Sequence, residues 1–159
     1  MLSAAGIYLA LDVNTPTFSL NNADAYNLHL SYNDKYLHSV FSTIDTFQSY
    51  DNMLLFLAGN EVVNAANNTQ AAPYVKAVVR DMKTYIANRN YRAIPVGYAA
   101  ADVSENIDNQ LLYMDCGADI SRVDFFGMND YSWCDPSSFT TSGWDQKVQR
   151  YSNYGSPLL

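Results

Sequence analysis

The sequence predicts an α/β fold built on a parallel sheet, and three observations predict it. Short apolar runs alternate with stretches of helical periodicity along the whole chain. The clearest run, Met53 to Ala58, carries no charge and no apolar/polar alternation, as expected of a strand buried on both faces. Acidic or amide residues stand where such runs stop: Asp12 after one, Asn60 and Glu61 after another. In barrels of parallel strands, chemistry gathers at the carboxyl ends of the strands.

Taken in order, residues 6–13 (GIYLALDV) form the first strand-like run, and NTPTFSLNN (14–22) is a polar, proline-containing loop. From Asn33 to Tyr50, Tyr36, Leu37, Val40, Phe41, Ile44 and Phe47 recur at three- and four-residue spacing, which is an amphipathic helix. The strand at 53–58 follows the turn Asp51-Asn52. Pro73 opens a second helix with Val75, Val78, Val79, Met82 and Ile86 on one stripe and Lys76, Arg80 and Lys83 off it. Ile94 to Ala100 reads as a third strand, Ile107 to Met114 as a short helix closing at Cys116-Gly117, and Val123 to Met128 as a fourth strand. Residues 143–153 look helical, and Ser156 to Leu159 looks like the opening of a fifth strand. The order starts on a strand and stops as another begins, so the expectation is a central segment of a larger domain, truncated at both ends.

Composition narrows the function. At 159 residues, 48% hydrophobic and 16% charged, the chain can bury a core and is not disordered. A net charge of −7 argues against nucleic acid, which needs clustered Lys and Arg. Thirteen tyrosines in an acidic chain hint at carbohydrate, because sugar rings stack on aromatic faces. Only Glu61 and Glu105 among the 16 acids are Glu, which draws attention to the one beside a buried strand. Glu105 sits in a polar loop and reads as solvated surface. His29 and His38 lack metal-ligand spacing, so no metal or cofactor is expected. Cys116 and Cys134 could pair with each other or be free thiols, and Asn67-Asn68-Thr69 is a glycosylation sequon. No apolar run is long enough to span a membrane, and the first residues lack the basic start of a signal peptide.

The motifs LFLAGNEV, YRxIPVGY and FFGMNDYSWC, taken together, resemble the fungal β-1,3-glucanosyltransferases of glycoside hydrolase family 72, over nearly the whole chain. The resemblance implies a partial (β/α)8 TIM barrel. Residues 6–13 would be its third strand, 53–58 the fourth, 94–100 the fifth and 123–128 the sixth, with Pro157-Leu158-Leu159 opening the seventh. It implies a single catalytic domain of which residues 1–159 are the central part.

It also implies a retaining mechanism with two Glu residues. Glu61 matches the general acid/base of the Asn-Glu pair at the end of the fourth strand. The nucleophile, in a Ser-Glu-Tyr-Gly motif after the seventh strand, has no counterpart in this sequence. Retention needs two carboxyl groups about 5 Å apart, one to form a glycosyl-enzyme and one to protonate the leaving oxygen. The expectation is therefore an acid/base without its partner, and no transfer by these residues alone.

The same resemblance assigns substrate-binding roles. Asn60 would contact the sugar hydroxyl next to the reacting carbon; read without it, Asn60 is a turn residue. Asp12 would belong to the donor site, or merely cap its loop. Asn21 matches a family loop residue, although the Arg that often follows is Asn22 here. Asp102 matches an acid after the fifth strand, but the Arg expected five residues on is Ile107, which puts acceptor binding in doubt. Tyr131 matches an active-site Tyr, whereas Trp133 is expected in the core. Cys116 and Cys134 would each pair with a cysteine farther along the chain, and Asn67 would carry a glycan. The implied partners are β-1,3-glucan oligosaccharides or polysaccharide as donor and acceptor, and the implied location is the outer face of the plasma membrane or the cell wall, GPI-anchored in the full-length protein. The alternatives are a non-catalytic glucan-binding remnant and another retaining barrel β-glucanase.

Overall fold

The computed structural model describes residues 1–20, 27–134 and 136–159. Four strands, β1 (Leu9–Asp12), β2 (Met53–Asn60), β3 (Val96–Ala101) and β4 (Phe126–Asn129), form one sheet in the order β1-β2-β3-β4. All three pairings are parallel. Between them run α1 (Leu28–Ser31), α2 (Asp34–Phe47), α3 (Ala72–Asn88) and α4 (Ile107–Asp115), and α5 (Trp144–Tyr151) follows β4. Strand order that advances without reversing is the arrangement a parallel barrel uses; doubly wound sheets reverse it. Leu158 pairs parallel with Phe126 in an isolated bridge, Phe126 N–H reaches Pro157 O at 2.9 Å and Met128 N–H reaches Leu159 O at 3.0 Å, so the last residues lie parallel along the free edge of β4.

Local chemistry explains where the elements start. Asn33 caps α2, its side-chain oxygen accepting the N–H of Tyr36 at 3.0 Å. Pro73 sits in the first turn of α3, where a missing N–H costs nothing. The third strand starts at Val96 rather than Ile94, because Pro95 has no N–H to donate and the N–H of Val96 goes to the Asp124 carboxylate at 2.9 Å. The fourth strand likewise starts later than Val123, at Phe126. One-turn helix α1 carries no readable period and was not foreseen in the sequence.

Helices α2 and α3 lay their predicted stripes on the sheet, and α4 adds two apolar residues of its own. Val40 and Ile44 of α2, Val75, Val78, Val79 and Met82 of α3, and Leu111 and Met114 of α4 are buried with Phe56, Val96, Tyr98 and Phe126. Gly97 is required by its neighbour: a Cβ there would lie 2.4 Å from the ring of Phe125. Burial of β2 on both faces holds for most of its length but not at Leu54, which is 50% exposed. Met53 and Leu55 pair with the consecutive residues Leu9 and Ala10, which leaves Leu54 as the extra residue of a bulge.

Candidate active site

Parallel strands bring their carboxyl ends to one rim, and the structure places Asp12, Asn60, Ala101 and Asn129 as the last residues of β1 to β4. A second irregularity shapes that rim. Leu57 pairs with Gly97 and Asn60 with Ala99, so three steps along β2 oppose two along β3. The extra residue lies at Ala58-Gly59, immediately before the Asn-Glu pair. A bulge bends its strand and re-aims the side chains that follow.

Glu61 then takes φ 51°, one of two non-glycine residues with positive φ among those described. That conformation costs about 1–2 kcal/mol for a residue with a Cβ. It is held by a hydrogen bond from Glu61 N–H to Ala99 O at 2.8 Å, which carries the β2–β3 ladder one residue past the strand end. The next turn is tied down from the core: the buried Tyr98 hydroxyl accepts the N–H of Val63 at 3.0 Å. Burial, together with the nearby charge of Glu61, pushes the Tyr98 phenol up to about 12 although its backbone hydrogen bonds oppose this. Gly59 allows the tight approach, since a Cβ there would come within 2.9 Å of Val62.

The half-buried Glu61 carboxylate and the Asn60 amide share a partner that the sequence reading did not single out. Asn129 Nδ2 donates to Glu61 Oε1 at 2.7 Å and to Asn60 Oδ1 at 2.9 Å. A signal for it exists in the sequence only in retrospect: Asn129 follows a strand and lies in the same NDY motif as Tyr131.

Asp12 does what its plain reading suggested. Its carboxylate accepts Asn14 N–H at 2.9 Å and Asn14 Nδ2 at 2.7 Å, closing the loop after β1. Asn14 in turn accepts the hydroxyl of the buried Tyr36 at 3.0 Å and reaches Ala58 O of β2 at 3.2 Å. Burial raises the Asp12 carboxyl above the usual range, against the two Asn14 bonds that lower it. Asn21 lies outside the described residues.

Asp102 has a cation, but from an unexpected source. Ile107 is a core residue, 1% exposed at the start of α4. The partner of Asp102 is Lys147 of α5, at 2.6 Å, and the same ammonium lies 2.9 Å from Asp130. Burial would push the Asp130 carboxyl up, but hydrogen bonds from Ser132 and Lys147 outweigh it and bring it down to about 2. Tyr131 stands 76% exposed on the rim loop. Trp133 is also exposed, against the expectation of core packing, and meets Phe139 edge-on at 5.6 Å.

Cys116 and Cys134 are both exposed free thiols, so the pairing of one with the other that spacing permitted is not made. Cys116 Sγ donates to Tyr113 O at 3.1 Å. Asn67 is exposed in the turn before α3. Among the described residues, no three His, Cys, Asp or Glu side chains are grouped to hold a metal ion. A hollow of about 640 Å³ lined by Phe18, Asp34, Lys35 and His38 lies along α2 and does not include Glu61. It has none of the strand-end chemistry.

The profile of the Glucanosyltransferase family, glycoside hydrolase family 72, matches residues 1–159. The chain is 57% identical over 158 residues to 1,3-beta-glucanosyltransferase gel1 of Aspergillus fumigatus, covering 99% of this chain and 34% of that protein. It is 54% identical over 160 residues to 1,3-beta-glucanosyltransferase GAS5 of Saccharomyces cerevisiae, of which it covers 32%. Its fold superposes on Saccharomyces cerevisiae Gas2p in complex with laminaripentaose with a TM-score of 0.89 at 39% identity, over 99% of this chain and 35% of that one. The chain thus spans about a third of the length of these relatives. It belongs to the glucanosyltransferase family, glycoside hydrolase family 72.

Proposed function

We propose that these residues are the central part of the (β/α)8 catalytic barrel of a 1,3-β-glucanosyltransferase, with β1 to β4 as barrel strands three to six and Leu158-Leu159 opening the seventh. The observation that carries this reading is Glu61. A bulge and a left-handed backbone aim a carboxylate over the rim where parallel strands end, in a chain related along its whole length to 1,3-beta-glucanosyltransferases. Strain retained at a polar residue is common where chemistry needs it.

In this reading Glu61 protonates the leaving oxygen as the glucan bond breaks, then takes the proton of the acceptor sugar's hydroxyl in the second step. The nucleophile comes from the seventh strand, outside these 159 residues, and the residues alone transfer nothing. Asn60 binds the hydroxyl next to the reacting carbon, Asp12 serves the donor sugar site, Asn21 and Asp102 bind substrate from their loops, and Tyr131 contacts the nucleophile or the sugar. The donor and acceptor are β-1,3-glucan chains; the bound laminaripentaose in Gas2p supports that choice. Lys147 supplies at Asp102 the positive charge that Ile107 does not, which supports the catalytic reading over a non-catalytic remnant. The protein acts at the cell surface or wall, carried there by a GPI anchor, with Cys116 and Cys134 in disulfides to later cysteines and a glycan on Asn67.

The test is transfer of laminari-oligosaccharides by the full-length protein, followed by product length. Glu61→Gln is expected to lower transfer by about 10²–10⁴-fold. Transfer at the unmodified rate by that variant overturns the assignment.

A further inference from the structure

We propose that Asn129 is the positioning residue of the Asn60–Glu61 pair: its one amide group holds the Glu61 carboxylate and the Asn60 side-chain oxygen at the same time. This rests on the reading of Glu61 as the acid/base, and adds to it the residue that orients both side chains.

Stereochemistry supports it first. A side-chain amide carries two N–H groups on one nitrogen, and Asn129 Nδ2 has an acceptor for each, at 2.7 Å and 2.9 Å. Because Nδ2 can only donate, both facing atoms must be oxygens. The Asn60 amide is thereby turned with its oxygen towards Asn129 and its NH2 away from it. Glu61 is held at the same nitrogen, through Oε1. A hydrogen bond to a carboxylate is stronger than one to a neutral acid, so the Asn129 bond tightens as the proton leaves. That is the kind of interaction that favours a transition state over a ground state.

The backbone is built for the same purpose. Glu61 follows β2 and Asn129 ends β4, so the two side chains meet across the end of β3. The strand between them reads Ala99-Ala100-Ala101, and Gly127 stands in register with Ala99. Short side chains at that row leave room for the contact. Asn129 itself is held on both sides. It pairs with Ala101 in the sheet, and the next residue, Asp130, accepts the N–H of Ser132 at 2.8 Å and forms an ion pair with Lys147 at 2.9 Å. Lys147 also grips Asp102, so the ends of β3 and β4 are clamped together next to the amide.

The test is spectroscopic. The full-length protein labelled with ¹³C at the glutamate side-chain carboxyl gives one resonance per glutamate, and those of Glu61 and Glu105 are assigned by their loss in Glu61→Gln and Glu105→Gln. Glu105 is exposed and bonded by Ser104, and serves as the internal control. In Asn129→Leu, which keeps the side-chain size and removes the donor, the Glu61 resonance is expected to move by more than its line width while that of Glu105 stays. Methionine methyl dispersion reports the fold; if Asn129→Leu loses it, Asn129→Ser is read by the same criterion. A Glu61 resonance that stays in place in a folded variant overturns the proposal. The spectrum does not depend on transfer. If Glu61→Gln retained activity, the functional reading would fall while the spectroscopic result still stood or fell by itself.

Discussion

The hydroxyl of Tyr98, buried in the middle of β3, accepts the backbone N–H of Val63 at 3.0 Å and so anchors the turn that follows Glu61 from inside the core. An internal strand residue thus governs the loop that carries the candidate acid. Tyr98→Phe keeps the ring, its edge-on contact with Phe126 at 5.9 Å included, and removes only the acceptor. It leaves a buried N–H unpaired, and is expected to lower stability by about 1–3 kcal/mol in urea unfolding.

The same pair gives a signature in alkali. The Tyr98 phenol is raised to about 12 in the folded chain, above its ordinary value of 10.0. Below pH 10 neither state ionises and stability does not depend on this group. Between pH 10 and 12 the unfolded state releases the proton and the folded state does not, so stability falls as pH rises. Tyr98→Phe lacks that loss, and the gap between variant and wild type is expected to narrow over this interval. A gap that stays constant from pH 8 to 12 contradicts it.

Backbone strain at Glu61 separates two ways of removing its carboxylate. With φ at 51°, a glycine is at ease there and an alanine is not. Glu61→Gly is expected to be more stable than Glu61→Ala by about 1 kcal/mol in chemical denaturation. Equal stabilities would mean that the turn relaxes once the carboxylate and its bond to Asn129 are gone.

Lys147 ties α5 to both Asp102 and Asp130. Lys147→Met leaves two acids facing each other, Asp130 largely out of solvent. The expected loss is about 1–3 kcal/mol, with faster amide hydrogen exchange across Trp144–Tyr151 at neutral pH. Because Asp130 is held down at about 2, from an ordinary 3.8, its contribution is present above pH 4 and lost as pH falls towards 2. Wild-type α5 should therefore loosen only over that acid range, whereas the variant is loose already at pH 7.

The apolar runs and the three- and four-residue spacings determined the class of fold, because burial has the same period wherever the chain later goes. Val40 and Ile44, or Val78 and Met82, could be assigned to one face without knowing what that face meets. Strand ends were less legible. Pro95 and the carboxylate of Asp124 moved the start of β3 by two residues, and the second of these is a contact across 28 positions. Glu61 could be picked out because its apolar strand, its Asn60 neighbour and the scarcity of Glu are all local facts.

The rest of the site was decided by tertiary structure. Asn129 lies 68 residues from Glu61, and Lys147 lies 45 from Asp102. Lys147 has no local mark that sets it apart from an ordinary surface residue, and the NDY motif that contains Asn129 does not say what its side chain meets. Hydrogen bonds and ion pairs are short-ranged and directional, so a partner is chosen by where the sheet register and the α5 docking put it. The sequence alone singled out Glu61 as the candidate acid, and the sheet determined what holds it.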